Sequence, residues 1–432
     1  MPPRDGITYL SSLDQWKGRG GFDLKRISTV LAALGDPQTS LPCVHVAGTN
    51  GKGSVSVAIA SILGQSGYRV GLTTSPHLRS LNERICIDGF PVEDGRLSEY
   101  AIRLMSECSR LGERLSFFEA ITTIAFMISA DSSLDWFVAE VGLGGRLDAT
   151  NVISRPAASV IVSIAHDHED ILGLTLEKIA YEKAGIIKPG CPCIVGDLPP
   201  EALKVVIDFA ESVGSATFVY GRDFEFCAVD NVVVYRDKKG RKVSFKPSLN
   251  GGYQRHNMAV AIATCLEVGV STEACQNGVE AVFWPGRLEF VQSTSGRSVL
   301  FDAAHNPAGI MELCRFMSER GIAPLEICFG AIRTKQWQDM IAIIAPLVRR
   351  WNLLAPRCGQ AVATGEMCTF LSSIGVSATD YGADYASFIA DRVRCSEPGT
   401  ILVCGSIYLM GEVRSLLLLE QRRLWKRKSE RG

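Results

Sequence analysis

The chain has 432 residues, of which 47% are hydrophobic and 21% charged, and its formal net charge is −1. This length suggests two domains, the composition is that of a soluble globular protein, and the small net charge excludes a field that would draw the chain to nucleic acid or a membrane. No apolar run reaches the roughly 18 residues of a membrane span, and the N-terminus lacks a signal-peptide pattern. The fourteen cysteines are scattered without zinc-type spacing. We therefore expect a cytoplasmic protein with reduced thiols.

The first elements predict a βαβ unit around a glycine-rich loop. The segment "CVHVAG" (43–48) is short, apolar and β-rich, as a buried parallel strand is. After the loop, "SVSVAIASILGQSG" (54–67) has helical spacing, and "YRVGLTTS" (68–75) predicts a second strand. We expect the crossover between the two strands to be right-handed.

Strands and helices continue to alternate along the rest of the chain. The sequence predicts a buried helix over 117–130, a third strand over 135–143, a fourth strand over 158–165, a helix over 175–187, and an antiparallel patch over 217–245 with a turn at "KKG" (238–240). Polar "QSTSGR" (292–297) predicts a linker. Beyond it, further alternation predicts a smaller parallel-sheet domain that ends in a last helix and a frayed basic tail.

The loop after the first strand carries the strongest chemical signal. It consists of Gly48, Thr49, Asn50, Gly51, Lys52, Gly53 and Ser54. Glycines let a backbone wrap closely around an anion, and the start of the following helix, together with Lys52, adds positive charge. The spacing departs from G-x-x-x-x-G-K-[ST], because Gly53 separates Lys52 from Ser54. An ordinary tight turn does not explain the lysine and the hydroxyls, so the loop predicts phosphate binding.

Three polar residues follow neighbouring predicted strands. Ser75 ends the second strand, Glu140 lies near the end of the third, and His168 follows the fourth. Ligands bind beyond the carboxyl ends of parallel strands, so we expect these side chains beside Lys52. Together with phosphates they predict one or two Mg²⁺ ions, although an imidazole is an unusual Mg²⁺ ligand. The alternatives are a buried, paired carboxylate for Glu140 and a loop histidine for His168.

A second glycine-rich loop, "EVGLGGRLDATN" (140–151), follows the third strand and carries Arg146, Asp148 and Asn151. Its glycines predict the close approach of a flat or anionic ligand, with a plain turn as the alternative. The six histidines all stand beside predicted element ends, which favours a functional role for some of them. They are His45, His77, His166, His168, His256 and His305.

The order of "HVAGTNGKGS", "TSPHL", "EVGLGGRLDATN", "WPGRLE" and "FDAAHNPAG" closely resembles the folylpolyglutamate synthase and bifunctional dihydrofolate synthase family of the Mur ligase superfamily. The resemblance extends over nearly the whole chain, from "YLSSLDQW" to "YLMGEV". It implies an α/β fold, with a P-loop-containing ATPase domain over 1–296 and a smaller Rossmann-like domain over 297–432. It also implies a Mg²⁺-dependent ATP ligase in folate metabolism, which we expect to be a monomer.

The resemblance implies a two-step reaction. A carboxylate of dihydropteroate or a reduced folate takes the γ-phosphoryl group of ATP, and the amine of L-glutamate then attacks the acyl phosphate. Activation is needed because a carboxylate is a poor electrophile. The protein contributes positioning and charge stabilisation. Whether the chain makes dihydrofolate, extends folates or does both stays open, although "DATN" favours both.

The family roles carry over to matching positions in this sequence. They imply that ATP is contacted by residues 48–54 and by Asn257, Arg287 and Asp302. They imply that Mg²⁺ is bound by Ser75, Glu140 and His168, and that Lys52, His168 and a carbamylated Lys183 are catalytic. Substrate contacts are implied for Asp148, Ala149 and His305. Asp302 and His305 would contact ATP or position glutamate. The alternative for Lys183 is an ordinary surface helix lysine, because carbamylation needs a lysine with a depressed pKa.

Three segments depart from the family pattern. They are "LNGGYQ", with Asn250 and Tyr253 in place of proline and histidine, "TKQ" (334–336), and "GFDLKRI" (21–27). The resemblance places them around the cleft between the domains, so we expect effects on glutamate affinity and domain closure. A UDP-muramoyl amino acid ligase is an alternative that the 47 residues before the loop disfavour. A catalytically silent nucleotide-binding regulatory protein is the other alternative, which "TKQ" favours slightly.

Overall fold

The computed structural model describes residues 5–14, 23–322, 325–395, 397 and 399–429. The ends of the predicted segments "YLSSLDQW" and "EQRRLWKRKSERG" and the start of "GFDLKRI" lie outside these residues. The chain divides into two compact units: unit 1 is Met1–Ser248 with Gln254–Phe283, and unit 2 is Leu249–Tyr253 with Trp284–Gly432. None of the helices in the described part of the chain combines the length and the apolar content that crossing a membrane requires.

Unit 1 contains eleven of the described strands and most of the helices. Its strands are β1 (Cys43–Ala47), β2 (Val70–Thr73), β3 (Ile85–Ile87), β4 (Phe90–Pro91), β5 (Trp136–Glu140), β6 (Ala158–Ile161), β7 (Cys193–Val195), β8 (Thr217–Val219), β9 (Phe224–Val229), β10 (Val232–Asp237) and β11 (Lys242–Phe245). The helices are α1 (Gly6–Ser12), α2 (Lys25–Ala33), α3 (Lys52–Gln65), α4 (Asp94–Leu111), α5 (Phe117–Ala130), α6 (Glu169–Leu172), α7 (Leu176–Ala184), α8 (Pro200–Ser212), α9 (Gly252–Glu267) and α10 (Thr272–Glu280).

The main sheet of unit 1 has the strand order β4-β3-β2-β5-β1-β6-β7-β8. The pairs from β2 to β8 are parallel, and β3 and β4 add an antiparallel edge. All five residues of β1 are buried, as expected for a central strand covered on both faces. Because β2, β5, β1 and β6 are parallel neighbours, their carboxyl ends meet at one edge of the sheet.

The predicted central elements are confirmed, and the helix predicted over 117–130 is α5. Its start is explained by a capping box in which Ser116 and Glu119 satisfy each other's backbone N–H groups. The alternating segment that begins at residue 217 is only partly antiparallel. Strand β8 pairs in parallel with β7, so the antiparallel sheet β11-β10-β9 begins at Phe224, and its predicted turn at "KKG" is confirmed. Three residues of β8 are too few to show a period of their own.

Unit 2 is a second mixed sheet flanked by helices. Its elements are β12 (Glu289–Gln292), β13 (Ser298–Phe301), α11 (Pro307–Glu319), β14 (Leu325–Phe329), α12 (Trp337–Ile344), β15 (Val348–Leu353), α13 (Thr364–Ser373), β16 (Ala378–Asp380), α14 (Tyr385–Phe388), a π-helix (Ile389–Val393), β17 (Thr400–Cys404) and α15 (Ile407–Ser429). The strand order is β12-β13-β17-β14-β15-β16, with only the β12–β13 pair antiparallel.

The segment "QSTSGR" is not a linker, and that prediction is wrong. It is the turn of the β12–β13 hairpin, closed by a hydrogen bond from the Ser293 N–H to Arg297 O of 2.7 Å. Small polar residues and a glycine suit a tight turn as well as a linker. The predicted boundary between residues 296 and 297 falls inside this hairpin.

Candidate active site

The phosphate loop, residues 48–54, joins β1 to α3 and requires glycine at Gly51. Gly51 caps α3 with a φ of 82°, a left-handed conformation that side chains disfavour. A Cβ atom there would lie 2.5 Å from Asn257 Oδ1 and 2.9 Å from a methyl group of Val162. Asn257 therefore lies directly against the loop. Its side chain is oriented by donating a hydrogen bond of 2.9 Å to Gln254 Oε1.

The segment after β6 supports the loop from its other side. The Thr49 N–H donates to Ser163 O at 2.8 Å, and the Asn50 N–H donates to Ser163 Oγ at 2.9 Å. The Ala165 N–H donates to Thr49 Oγ1 at 3.0 Å. The Thr49 hydroxyl thus helps to hold the loop in place. Ser163 carries no motif, and only the parallel pairing of β1 with β6 brings it to the loop.

Two ammonium groups converge on one carbonyl oxygen of the loop. Lys52 Nζ donates to Gly48 O at 3.0 Å and to Thr49 O at 3.1 Å. Lys183 Nζ, from α7, donates to Gly48 O at 2.9 Å, and Lys183 is only 4% exposed. The surface-lysine alternative for Lys183 is therefore wrong. The pair concentrates positive charge at the carboxyl edge of the sheet, which favours an anionic ligand.

Glu140 and Ser75 meet at the same edge. The Ser75 N–H donates to Glu140 Oε2 at 3.0 Å, and Glu140 is 5% exposed. His168 stands at the start of α6 with a φ of 52°, and its Nε2 lies 3.9 Å from Asp167 Oδ1. The described residues hold no group of three or more His, Cys, Asp or Glu side chains placed to bind a metal ion. Any cation here would depend on substrate oxygens for much of its coordination, as Mg²⁺ commonly does.

The polar side chains of the second glycine-rich loop are engaged by the protein itself. The carboxylate of Asp148, 5% exposed, accepts from the Leu143 N–H at 2.9 Å, the Thr150 N–H at 3.0 Å and the Thr150 hydroxyl at 2.6 Å. Burial raises the pKa of Asp148, and these hydrogen bonds oppose that rise. Asp148 therefore orders this loop, and Ala149 beside it is buried.

The same hydroxyl connects the second loop to β1. Thr150 Oγ1 lies 2.8 Å from Nε2 of the fully buried His45. Because the hydroxyl gives its proton to Asp148, it accepts from His45, so the neutral His45 carries its proton on Nε2. Burial, with a smaller effect from Lys188, lowers the pKa of His45 to about 3.

The candidate residues of unit 2 surround Asp302. Asp302, 4% exposed, accepts from the Leu288 N–H at 3.0 Å and the Ala304 N–H at 2.9 Å, and the Tyr253 hydroxyl lies 3.3 Å away. Burial raises the pKa of Asp302 and nearby Arg287 opposes the rise. Asp302 thus fixes the turn that carries Arg287.

Both departures in "LNGGYQ" bond within this region of unit 2. Tyr253 reaches Asp302, and Asn250 Nδ2 donates to Leu288 O at 3.1 Å. His305 has its Nδ1 2.8 Å from Ala303 O, so Nδ1 is the protonated nitrogen. The two substituted residues therefore hold the segment that also contains Arg287.

Three of the remaining histidines make local contacts. His77 Nδ1 accepts from Arg84 Nε at 2.9 Å, and burial followed by the charge of Arg84 lowers the pKa of His77 to about 4. His166 Nδ1 lies 2.6 Å from the Glu169 carboxylate. His256 packs edge-on against two aromatic rings. Each of these three histidines therefore has a partner within the protein, and a functional role for some of the six stays a prediction.

A parallel sheet whose central strand ends in a glycine-rich loop with two converging lysines defines a nucleotide-binding α/β protein. The Mur ligase middle domain family matches residues 46–265. The chain is 34% identical to the folylpolyglutamate synthase of Lacticaseibacillus casei, covering 95% of this chain and 98% of that one. It is 32% identical to the dihydrofolate synthase/folylpolyglutamate synthase of Bacillus subtilis, covering 93% and 97%.

Solved structures give the same result. E. coli FolC in complex with DHPP and ADP superposes with a TM-score of 0.85 and 29% identity, covering 97% of this chain and 98% of that chain. This chain belongs to the folylpolyglutamate synthase and dihydrofolate synthase family of the Mur ligases. It is an ATP-dependent ligase of that type, as the sequence predicts.

Proposed function

We propose that the chain joins L-glutamate to a carboxylate of dihydropteroate, of a reduced folate, or of both. The observation that carries this proposal is the position of Lys52 at the start of α3, in the glycine-rich loop after β1, where its Nζ donates to Gly48 O at 3.0 Å and to Thr49 O at 3.1 Å. A lysine at a helix N-terminus suits the β- and γ-phosphates of ATP. The matched E. coli structure holds DHPP and ADP, which supports a folate-type acceptor here.

In the first step, an oxygen of the substrate carboxylate attacks the γ-phosphorus of ATP, the bond to the β-bridging oxygen breaks, and ADP leaves. Lys52 stabilises the charge that moves onto the bridging and terminal oxygens. In the second step, the neutral amine of glutamate attacks the acyl carbon, phosphate leaves, and the amine loses a proton. The buried loop geometry, held by Ser163 and Asn257, keeps Lys52 in place throughout.

Mg²⁺ suits oxygen donors such as the Ser75 hydroxyl and the Glu140 carboxylate, and the Ser75 N–H already donates to Glu140 Oε2 at 3.0 Å. We propose these two residues and His168 as its protein ligands. When bound, Mg²⁺ neutralises phosphate charge.

A carbamate on Lys183 would place anionic oxygens beside the loop, where the Lys183 ammonium group now lies 2.9 Å from Gly48 O. It forms when the neutral amine attacks CO₂ and loses a proton.

Other substrate contacts are proposed from residues in both units. Asn257 and Arg287 would contact the nucleotide. Asp302 would act on ATP through the turn that it holds, and His305 would position glutamate. Asp148 and Ala149 would line the pterin site through the loop that Asp148 orders. We also propose a monomeric protein.

The proposal is tested by ADP release from the purified protein with Mg²⁺, ATP and L-glutamate, using dihydropteroate and tetrahydrofolate in parallel. Turnover with both acceptors indicates a bifunctional enzyme, and turnover with one names the single activity. If ADP binds but neither acceptor supports turnover, the proposed function is wrong and a regulatory nucleotide-binding role replaces it. Variants Asn250→Pro and Tyr253→His then test whether the departures silence the enzyme.

A further inference from the structure

The second glycine-rich loop is clamped to the end of α7, the helix that carries Lys183. The side-chain amide of Asn151, 7% exposed, donates to Arg146 O at 2.8 Å and to Gly185 O at 3.1 Å. The Arg146 N–H donates to Glu182 O at 2.7 Å, and its guanidinium pairs with the Glu182 carboxylate at 2.8 Å. Both the main chain and the side chains therefore join the two segments.

The two segments also pack backbone against backbone. A Cβ atom on Gly145 would lie 2.8 Å from Glu182 O and 3.0 Å from Lys183 O. A Cβ atom on Gly185 would lie 2.4 Å from the Cβ of Arg146. Contacts this close leave little freedom for the end of α7 to shift. The loop therefore fixes the backbone position from which the Lys183 side chain extends to Gly48 O.

We propose that Asn151 is a positioning residue for Lys183, an inference that rests on the proposed role of Lys183. Asn151 suits this function because its amide offers two N–H donors on a short side chain. One of the carbonyl oxygens that it joins, Arg146 O, belongs to the second glycine-rich loop, and the other, Gly185 O, follows α7. Aspartate has the same shape but no donor, so its carboxylate would repel both carbonyl oxygens. Serine supplies only one donor.

The test measures the reactivity of Lys183 directly, independently of catalysis. The full-length protein and the variants Asn151→Ala and Asn151→Asp are exposed briefly to an amine-acylating reagent, and labelled lysines are quantified by peptide mass spectrometry. We expect labelling of Lys183 to rise at least about tenfold in both variants, because local opening exposes its amine. Lys335, which is buried in unit 2, is labelled only when opening extends to that unit and should not change. The control Asn277→Ala removes an exposed asparagine from α10 and should match the parent protein.

Unchanged labelling of Lys183, or a rise shared equally with Lys335, would overturn the inference. Turnover is measured in the same variants, and we expect kcat to fall about tenfold or more, since small misplacements of catalytic groups are costly. The variant Lys183→Ala separates this inference from the proposed function. If Lys183→Ala keeps full turnover, the role of Lys183 is wrong. If it loses turnover while Asn151→Ala keeps parental labelling and kcat, only the positioning role fails.

Discussion

The phosphate loop and the second glycine-rich loop leave neighbouring parallel strands, β1 and β5, at the same edge of the sheet in unit 1. In the phosphate loop, Gly51 adopts a left-handed conformation, and two ammonium groups converge on Gly48 O. In the second loop, Gly145 packs against the backbone of α7, and the Asp148 carboxylate accepts hydrogen bonds from its own loop. One loop gathers positive charge for a ligand, and the other uses its polar groups to hold its neighbours.

The difference shows that glycine content alone does not indicate a ligand. A glycine-rich loop predicts phosphate binding when a lysine at the start of the following helix accompanies it, as Lys52 does here. In the second loop, the Arg146 guanidinium is neutralised by the Glu182 carboxylate at 2.8 Å. Its glycines serve close packing, including Gly142, where a Cβ atom would lie 2.4 Å from the ring of Phe118.

The largest effect that separates the loops is expected from Lys52→Ala. Removing the ammonium group should lower kcat by roughly 10²-fold or more, because charge on the transferring phosphoryl group loses its stabilisation. Steady-state ADP release with saturating substrates measures this change. Lys204→Ala, which removes an exposed lysine of α8, is the matched control and should leave kcat unchanged. A parental kcat in Lys52→Ala would remove the loop from the mechanism.

Much of this contrast was predictable, because β1 and β5 are short apolar runs, α3 and α7 have apolar residues at helical spacing, and the phosphate-loop motif is specific. The hairpin β3–β4 and the strand β7 were missed, since two or three residues do not establish a period. The position of Lys52 between β1 and α3 was predicted from the motif, whereas the burial of Lys183 was not.

Ser163 was missed because its contact with the phosphate loop depends on strand order. Asn50 and Ser163 are 113 residues apart in the chain and meet only because β1 pairs with β6. Likewise, the sequence does not show that the Asp148 carboxylate accepts hydrogen bonds from the Leu143 N–H and the Thr150 hydroxyl. Such contacts follow from the folded geometry, which a local pattern does not encode.

Effects of intermediate size are expected from one glycine substitution in each loop, Gly51→Ala and Gly145→Ala. Gly51→Ala places a Cβ atom 2.5 Å from Asn257 Oδ1 at a φ of 82°, so we expect the KM for ATP to rise about tenfold or more. Gly145→Ala places a Cβ atom 2.8 Å from Glu182 O, so we expect a loss of about 2–3 kcal/mol in the free energy of unfolding. ATP kinetics and urea unfolding of both variants measure the two effects.

Gly95→Ala is the control for this pair, because its added methyl group meets no atom within 4 Å and it lies in helix α4. It should leave the KM for ATP unchanged and slightly raise stability. The comparison fails if Gly51→Ala acts only on stability, or if Gly145→Ala raises the KM for ATP as strongly as Gly51→Ala does.

The smallest expected effect concerns His45, which joins the two loops through Thr150. Its pKa is about 3 in the folded chain and 6.5 in the unfolded chain, so the unfolded chain binds the extra proton between these values. The contribution of the neutral His45 ring to the free energy of unfolding is therefore complete above pH 6.5, and it is lost as the pH falls toward 3. Between pH 8 and pH 5 the free energy of unfolding should fall by about 2 kcal/mol from this group, at ~1.36 kcal/mol per pH unit.

The variant His45→Gln keeps a donor for Thr150 Oγ1 and has no titrating ring. We expect its unfolding free energy, measured in urea at pH 8 and pH 5, to lose about 2 kcal/mol less on acidification than the parent protein does. His166→Gln, at a half-exposed position, is the control. Asp148 has a raised pKa and an effect of opposite sign, but it is present in both proteins and largely cancels. If the unfolding free energy of His45→Gln and of the parent protein falls equally between pH 8 and pH 5, protonation of His45 does not affect stability.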